Sequence, residues 1–493
     1  MSRTWVAVAV VTALLAAACT GEAVLVERQS AEGSLASDEA NEGPVLSKGG
    51  KKSLNVGAGA RSGGKLTGKV GTAKAGVANC ATNSDPESGF TASTLKIGTI
   101  IPLTGALRPL GEQVARVMKV TVEATMNRQD RIVGYEQLNW GCPKRPGIFG
   151  RRVSVDIYSL QANTPEEALA GMRRLIDVEN VFLVRDCYLQ SNLMGAATQY
   201  QNAQGVPGVW CYFSEMPYPA LAHWNFAPGV DPLVISAIHT GYLINKLKKR
   251  RLAILSDPSL KHNQVAAVRR VAKTLDRPIP SDCIVYKKAQ EADNGMRSEI
   301  ARIRTCYGAA TSPDAVIALD ALNGTFGALE AQDQGFDTQW SCATCWVESL
   351  AELCGDACDN MITDCQALPC VPWASAEKFP AVAALRDTYN RYLSREPEDI
   401  LTYGPAAITG GIALWLTMTG PDLSRERFRT TLESLKRWDA GIGPILTTSP
   451  SDHFGGKSTW LIRFTGRNPW FDDLTGRFIT LREVGVPESA VHD

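Results

Sequence analysis

The sequence predicts an α/β protein with two doubly wound halves, and three observations carry that reading. The first is the stretch Lys96–Asn127, where the period changes inside one segment. Lys96 to Ile101 is a short apolar run of strand length, and Pro102-Leu103-Thr104-Gly105 breaks it. From Val114 the apolar residues Val117, Met118 and Val122 recur at helical spacing, with Arg116, Lys119 and Glu123 on the other face. The second is the alternation that follows. Val153, Val155 and Ile157 alternate as a strand, Thr164-Pro165-Glu166-Glu167 opens a helix, and Val181–Val184 is an all-apolar strand of the kind buried in a parallel sheet. A helix over 196–203 and a strand over 209–213 continue it. The third is that the alternation restarts. Strands at 252–255, 283–286 and 314–319 are separated by helices at 263–275 and 296–304, with another helix at 322–334. In open sheets of this kind ligands sit outside the carboxyl ends of the strands, so the Pro102–Gly105 loop is a first candidate for ligand contact.

The remaining elements are a Cys-rich segment, 341–372, a very apolar helix at 405–419, an amphipathic one at 424–438, and a tail hairpin pairing 461–464 with 478–481. No solenoid-length repeat is present. With 493 residues, 44% of them hydrophobic, the chain has room for two or three domains and a sizeable core. Lys+Arg and Asp+Glu are both 51, a balance that argues against nucleic acid as a partner.

The amino terminus points to export. Met1-Ser2-Arg3 is a positive n-region and 6–15 an apolar h-region, too short to span a bilayer. Leu14-Leu15-Ala16-Ala17-Ala18-Cys19 resembles a bacterial lipobox, which implies removal of residues 1–18, lipid on Cys19 and a membrane anchor facing the periplasm or cell exterior. Residues 19–94 then read as a tether, acidic to about Gly43 and Gly/Ala/Lys-rich beyond, with too little apolar surface to order itself. Of the 13 Cys, those other than Cys19 are even in number, which in an exported chain suggests disulfides. The pair Cys187–Cys211 follows two successive strands at matching depth.

Chemistry of the enzymatic kind is not indicated. The five His are scattered, and neither Gly-x-Ser-x-Gly nor Ser-x-x-Lys stands in a suitable context. No catalytic residue, cofactor or metal site is expected. Zinc at the Cys-rich segment would need thiolates, which an oxidising compartment removes. A thiol–disulfide reaction at Cys342-Ala343-Thr344-Cys345 is the enzyme alternative, and free-thiol titration tests it.

Order and spacing of several motifs together resemble the type I periplasmic binding proteins, in the leucine/isoleucine/valine- and amide-binding branch that serves ABC importers. They are Lys96 to Gly105 followed by Gly111-Glu112-Gln113, Gly147 to Ile157, Gln204-Gly205-Val206-Pro207, Lys249 to Leu255, and Leu401-Thr402-Tyr403 onward to Leu416. The resemblance covers about 95–480. It implies two doubly wound Rossmann-like lobes joined by a three-stranded hinge, residues 95–226 plus 366–450 forming one and 227–365 plus 451–493 the other. It also implies a small-molecule ligand (an amino acid, an amide, or an aromatic or cyclic solute) and an ABC permease as partner. By position in that fold, the ligand-contact candidates are Thr104, Tyr188, Ser191, Trp210, Tyr212, Ser214 and Tyr403 in the first lobe, with Asp320, Asn323 and Trp340 in the second. The amino-acid binders hold the ligand carboxylate with small hydroxyl residues after the third and fourth strands and the ammonium with an acid in the second lobe. Here those places read Arg185-Asp186-Cys187-Tyr188, Trp210-Cys211-Tyr212 and Ser341-Cys342-Ala343-Thr344-Cys345. The aromatic residues suit an aromatic, cyclic or extended apolar ligand, or else pack under the loops as core. The other reading of the whole chain is a sensory or scaffold lipoprotein without transport, to which the long tether and the Cys-rich segment belong more naturally.

Overall fold

The computed structural model describes residues 80–491 apart from internal stretches, the longer ones being 129–141, 187–190, 211–222, 366–382 and 392–402. The lipobox with Cys19, Tyr188, Tyr212, Ser214 and both members of the Cys187–Cys211 pair lie outside the described residues.

Two sheets carry the fold. The first holds β1 (Thr94–Pro102), β2 (Arg152–Leu160), β3 (Leu183–Asp186), β4 (Gly208–Trp210), β5 (Asn225–Val230) and β11 (Phe454–Gly456), in the order β11-β5-β4-β3-β1-β2. All its pairings are parallel, β1 and β2 running in register from Thr94↔Arg152 to Pro102↔Leu160. The second sheet holds β6 (Leu252–Ser256), β7 (Ile284–Tyr286), β8 (Ala315–Ala318), β9 (Gln339–Cys342), β10 (Ile362–Cys365), β12 (Ser458–Phe464), β13 (Phe471–Asp473) and β14 (Ile479–Thr480). Its order is β13-β12-β10-β9-β8-β6-β7, with β14 on the start of β12. In each half the first strand lies between the second and the third, so each sheet reverses direction beside its first strand. The all-apolar runs become these central strands because parallel strands are covered on both faces. Ile97, Leu183, Ile254 and Ile317 are fully buried.

The helices are α1 (Arg108–Thr121), α2 (Pro165–Arg173), α3 (Ser191–Ala203), α4 (Pro232–Gly241), α5 (Gln264–Thr274), α6 (Arg297–Thr305), α7 (Ala321–Asp333), α8 (Glu348–Cys354), α9 (Tyr403–Thr419) and α10 (Arg425–Glu433). Thr164 caps α2 as its sequence predicts, its Oγ1 accepting the Glu167 N–H at 3.2 Å. Three of the helices, α1, α2 and α4, run on into a π-turn. The last predicted helix is shorter than expected. It stops at Glu433; Arg437 takes a positive φ, and Trp438 bridges to Leu446 instead.

The chain passes between the two sheets at three places. β5 closes the first sheet's run and Asp231 then caps α4, which packs on α5 and β12 of the second half. After β10 the chain returns to α9, which packs against α1. β11 lies in the first sheet, and Lys457 separates it from β12 in the second.

Two expectations change. Residues 80–93, which composition assigned to the tether, belong to the folded body: Cys80 is bonded to Cys142, Ala81 N–H donates to Phe149 O at 2.9 Å, and Phe90 is buried. What holds them is Arg151, a buried cation whose Nε donates to Thr91 O at 2.7 Å and whose Nη1 donates to Pro421 O at 2.8 Å. No local signal announces such a tie. In the tail, β13 takes the hairpin position beside 462–464, and Ile479–Thr480 pairs with Ser458–Thr459. β13 escaped notice because Phe471-Asp472-Asp473 has one apolar residue and two exposed acids.

Candidate functional site: the carboxyl ends of two sheets

In the first half, β1 ends at Pro102 and α1 returns very close to it. A Cβ on Gly111 would stand 1.7 Å from Pro102 O, so only glycine permits this approach. Thr104 sits in the intervening loop, half-buried, its Oγ1 donating to Leu160 O at 3.1 Å. That bond ties the loops after β1 and β2 together, beside the place where the strand order reverses. β3 ends at Asp186, with Arg185 buried before it and its Nη1 3.4 Å from Met118 Sδ. Ser191 opens α3 and Tyr403 opens α9, and their side chains lie outside the described set. Trp210 does not face a cleft. It is 1% exposed, packs among Ile100, Val184 and Ala227, and its Nε1 donates to Asn225 Oδ1 at 2.8 Å. Trp210 ends β4, but its side chain falls on the covered face.

In the second half the loops after β6, β7 and β8 are knitted by carboxylates. Asp320 caps α7, its Oδ1 accepting Asn323 N–H at 2.9 Å, while its Oδ2 accepts Asn323 Nδ2 at 2.8 Å and Asp257 N–H at 3.1 Å. Asp257 in turn accepts Ser259 N–H and Ala289 N–H, each at 2.8 Å, and Asn323 Nδ2 also donates to Lys287 O at 2.9 Å. Burial pushes the Asp320 carboxyl up to about 6, against the pull of these N–H donors. Asp320 and Asn323 thus sit at the predicted place and hold its loops from behind. Trp340 lies early in β9, and its ring packs on Gly327 of α7, so it too is core. At the carboxyl end of β9, Cys342 and Cys345 form a disulfide over Gly324, where a Cβ would meet the two sulfurs at 2.5 and 2.7 Å. Cys354–Cys358 and Cys283–Cys306 are further pairs in this half, and no group of metal-ligating side chains occurs among the described residues. Ala343, beyond β9, packs with Val230 and Ile235 where the chain crosses from the first sheet.

One constellation was not legible in the sequence. His239 Nδ1 lies 2.7 Å from Ser341 Oγ, and its Nε2 lies 3.5 Å from Asp364 Oδ1. All three are 0% exposed, so this Ser, His and Asp brace α4 to β9 and β10 without access to a substrate. Their separation in the chain, spanning 239 to 364, hides the contact from any spacing argument.

Two sheets of the same strand order, crossed three times, match the architecture that the motif order implied, and a family profile described as periplasmic binding protein matches residues 94–468. The chain belongs to the periplasmic binding protein family. Its fold is the type I fold of that family. A leucine binding protein, LivK, from Thermotoga maritima superposes with a TM-score of 0.60 at 14% identity, covering 79% of this chain and all of that one. A fatty acid ABC transporter substrate-binding protein from Thermomonospora curvata gives 0.60 at 16% identity, covering 83% of this chain and 97% of that one. A solute binding protein of an ABC transporter from Rhodopseudomonas palustris, in complex with 3,4-dihydroxy benzoic acid, gives 0.58 at 15%, covering 78% and 96%. A comparison with curated proteins finds no match. Membership places this periplasmic binding protein among solute binders rather than enzymes, with its work outside the cytoplasm. No helix among the described residues is long and apolar enough to cross a membrane.

Proposed function

We propose that this binding protein is a lipid-anchored solute receptor that closes its two lobes on a small molecule and delivers it to an ABC importer. The observation that carries the reading is the pairing of two switch points, one per sheet, in a chain that crosses three times between the sheets. The lobes are about residues 95–226 plus 366–450 and 227–365 plus 451–493, with their edges moved to the crossings at Asp231 and Lys457 because β5 and β11 pair in the first sheet. Thr104, Tyr188, Ser191, Tyr212, Ser214 and Tyr403 are the contacts proposed for the first lobe. In the second, Asp320 and Asn323 position the loops and the turn after Cys342 meets the ligand. The ligand is an amino acid, an amide, or an aromatic or cyclic solute; relatives of the same fold carry isoleucine, benzoate or 3,4-dihydroxy benzoic acid. Ligand stabilises the closed form by population shift, and the closed form engages the permease. Lipid on Cys19 and a disulfide between Cys187 and Cys211 complete the proposal.

Thermal-shift screening against amino acids, amides and aromatic acids, with native mass spectrometry of the purified protein, tests solute binding. A ligand that raises the melting temperature and whose effect is reduced by Tyr212→Ala and Tyr403→Ala is the expected result. No ligand by either method, together with unchanged scattering on addition of the panel, sinks the reading. Intact mass of the mature chain, compared with Cys19→Ala, reports the lipid, and thiol mapping by peptide mass spectrometry reports the disulfides. The Cys-rich segment favours a second reading, in which the same ligand-dependent closure serves sensing and no permease is engaged. Ligand uptake that is unaffected by deletion of the gene separates the two.

A further inference from the structure

The chain is electrically balanced, but one loop is not. Between the π-turn Tyr242–Lys246 and β6 the sequence runs Lys246-Leu247-Lys248-Lys249-Arg250-Arg251. Arg251 pairs with Asp314, and Asp314 Oδ2 accepts the backbone N–H groups of Arg250 and Arg251 at 3.0 Å each, which pins the loop's end. Leu247 N–H donates to Tyr242 O and Lys249 N–H to Leu243 O, both at 3.0 Å, which pins its start. The side chains between are left free. Among the described residues none of Lys246, Lys248, Lys249 and Arg250 has an ion-pair partner.

The backbone adds an independent observation. Lys248 has φ +58, the left-handed conformation that follows a helix end. Among the described residues, other helix ends place Asn180, Gly205, Asp276, Gly335 and Gly420 in that conformation. Those are the residue types that tolerate it, whereas a lysine Cβ is strained there. The strain is not offset by packing, since Lys248 is exposed. Leu247 beside it is one of three large hydrophobic residues left exposed among those described, at 37%. α5 and α6 end at the same edge of the sheet with Lys273, Arg302 and Arg304 in their last turns. Cations at helix ends are explained by the helix dipole, but free cations flanking an exposed leucine on a pinned loop are not.

We propose that loop 246–251 is a docking surface for an anionic phospholipid membrane, with Leu247 entering the headgroup layer and Lys246, Lys248, Lys249 and Arg250 meeting phosphates. The exposed leucine selects a membrane over a soluble polyanion, which offers it nothing apolar. Each cation near an anionic leaflet strengthens association on the order of fivefold, so four give several hundredfold. That is weak for a free protein and sufficient for one held near the surface by a tether, where the effective concentration is high. The inference therefore rests on the proposed lipid anchor. The loop precedes β6, at the end of the second sheet opposite the loops proposed to take the solute, so docking leaves those loops uncovered.

The test uses the full chain on vesicles in excess, made of phosphatidylcholine alone or with phosphatidylglycerol added. Hydrogen exchange of residues 243–252 is the readout. Exchange several-fold slower on the anionic vesicles, and restored by high salt, is expected. The combined variant Lys246→Ser, Lys248→Gly, Lys249→Ser, Arg250→Ser abolishes the protection with an unchanged or higher melting temperature, because glycine relieves the strain at 248. Leu247→Ser keeps the charges and loses part of the protection. Equal exchange on both vesicles overturns the proposal, and so does protection by soluble polyphosphate without any by phosphatidylglycerol. Intact mass reports lipidation separately; if Cys19 is unmodified, the vesicle excess still tests the loop, and solute binding is read by thermal shift in the same samples.

Discussion

Asp320 shows how one residue can be found by position and mistaken in role. A carboxylate after the third strand of a lobe reads as a ligand contact, yet this one spends its oxygens on Asn323 and Asp257 behind the loops. The consequence is measurable. The folded-state pKa is raised from 3.8 to about 6, so the native protein holds a proton that the unfolded chain has lost between those values. Stability from this group is greatest below pH 3.8 and falls as pH rises toward 6, by on the order of 3 kcal/mol. Asp320→Asn removes that dependence. In urea denaturation the stability of the variant relative to wild type should climb from pH 4 to pH 6.5, and a constant difference across that range would show that burial does not set this pKa. Arg151 is the second case. Its guanidinium, lowered to about 10 by burial, serves the carbonyls of Thr91 and Pro421. Arg151→Met strands buried acceptors and should cost about 3 kcal/mol, seen as a drop of several degrees in melting temperature and faster proteolysis before residue 94.

Among elements, α7 is the one whose neighbours were least visible. Its length follows from the apolar spacing after Asp320 and was legible, whereas the role of Asp320 as its cap was not. The disulfide stacked on its first turn was not legible either, because Gly324 meets Cys342 and Cys345 only after β9 has paired with β8. Helix propensity alone favours Gly324→Ala by up to about 1 kcal/mol. Steric overlap with the locked sulfurs outweighs it, so the variant should lose about 1–3 kcal/mol while the disulfide is intact. Reducing the protein frees the sulfurs and should shrink the difference. An oxidised variant as stable as wild type would mean that α7 shifts without cost. The tail illustrates the opposite error: apolar alternation found β12 and β14, and missed β13, whose place depends on a bond from Trp460 Nε1 to Asp473 at 2.8 Å.

At the scale of the molecule, two of the three crossings are tied to each other. Asp231 N–H donates to Gly456 O at 3.0 Å, and the buried Asp231 carboxylate faces Lys457 Nζ at 3.2 Å, which also meets Asp452 at 3.0 Å. Lys457→Met leaves a carboxylate in the interior beside the two crossings. Because the lysine is about one-third exposed, the cost is on the order of 1–2 kcal/mol rather than that of a fully buried pair. The ligand-free protein should also sample a wider range of radii in solution scattering; an unchanged scattering profile would show that the pair stabilises without governing the opening.

The sequence by itself determined the first strands and helices of each half and their order, since periods of two and 3.6 residues are local properties, and it left out short strands such as β5, β9, β10, β11 and β13. It also determined, through that order, where the loops beyond the carboxyl ends of the strands lie. Only the tertiary structure decided which side chains those loops present. Trp210 and Trp340 were drawn into the core, Asp320 into a cap, and Ser341, His239 and Asp364 into one buried brace. A side chain's face and partners depend on residues a hundred or more positions away, which no local pattern records. The cations between Lys246 and Arg251 are readable as charge, but the positive φ of Lys248 became visible only once the chain was folded.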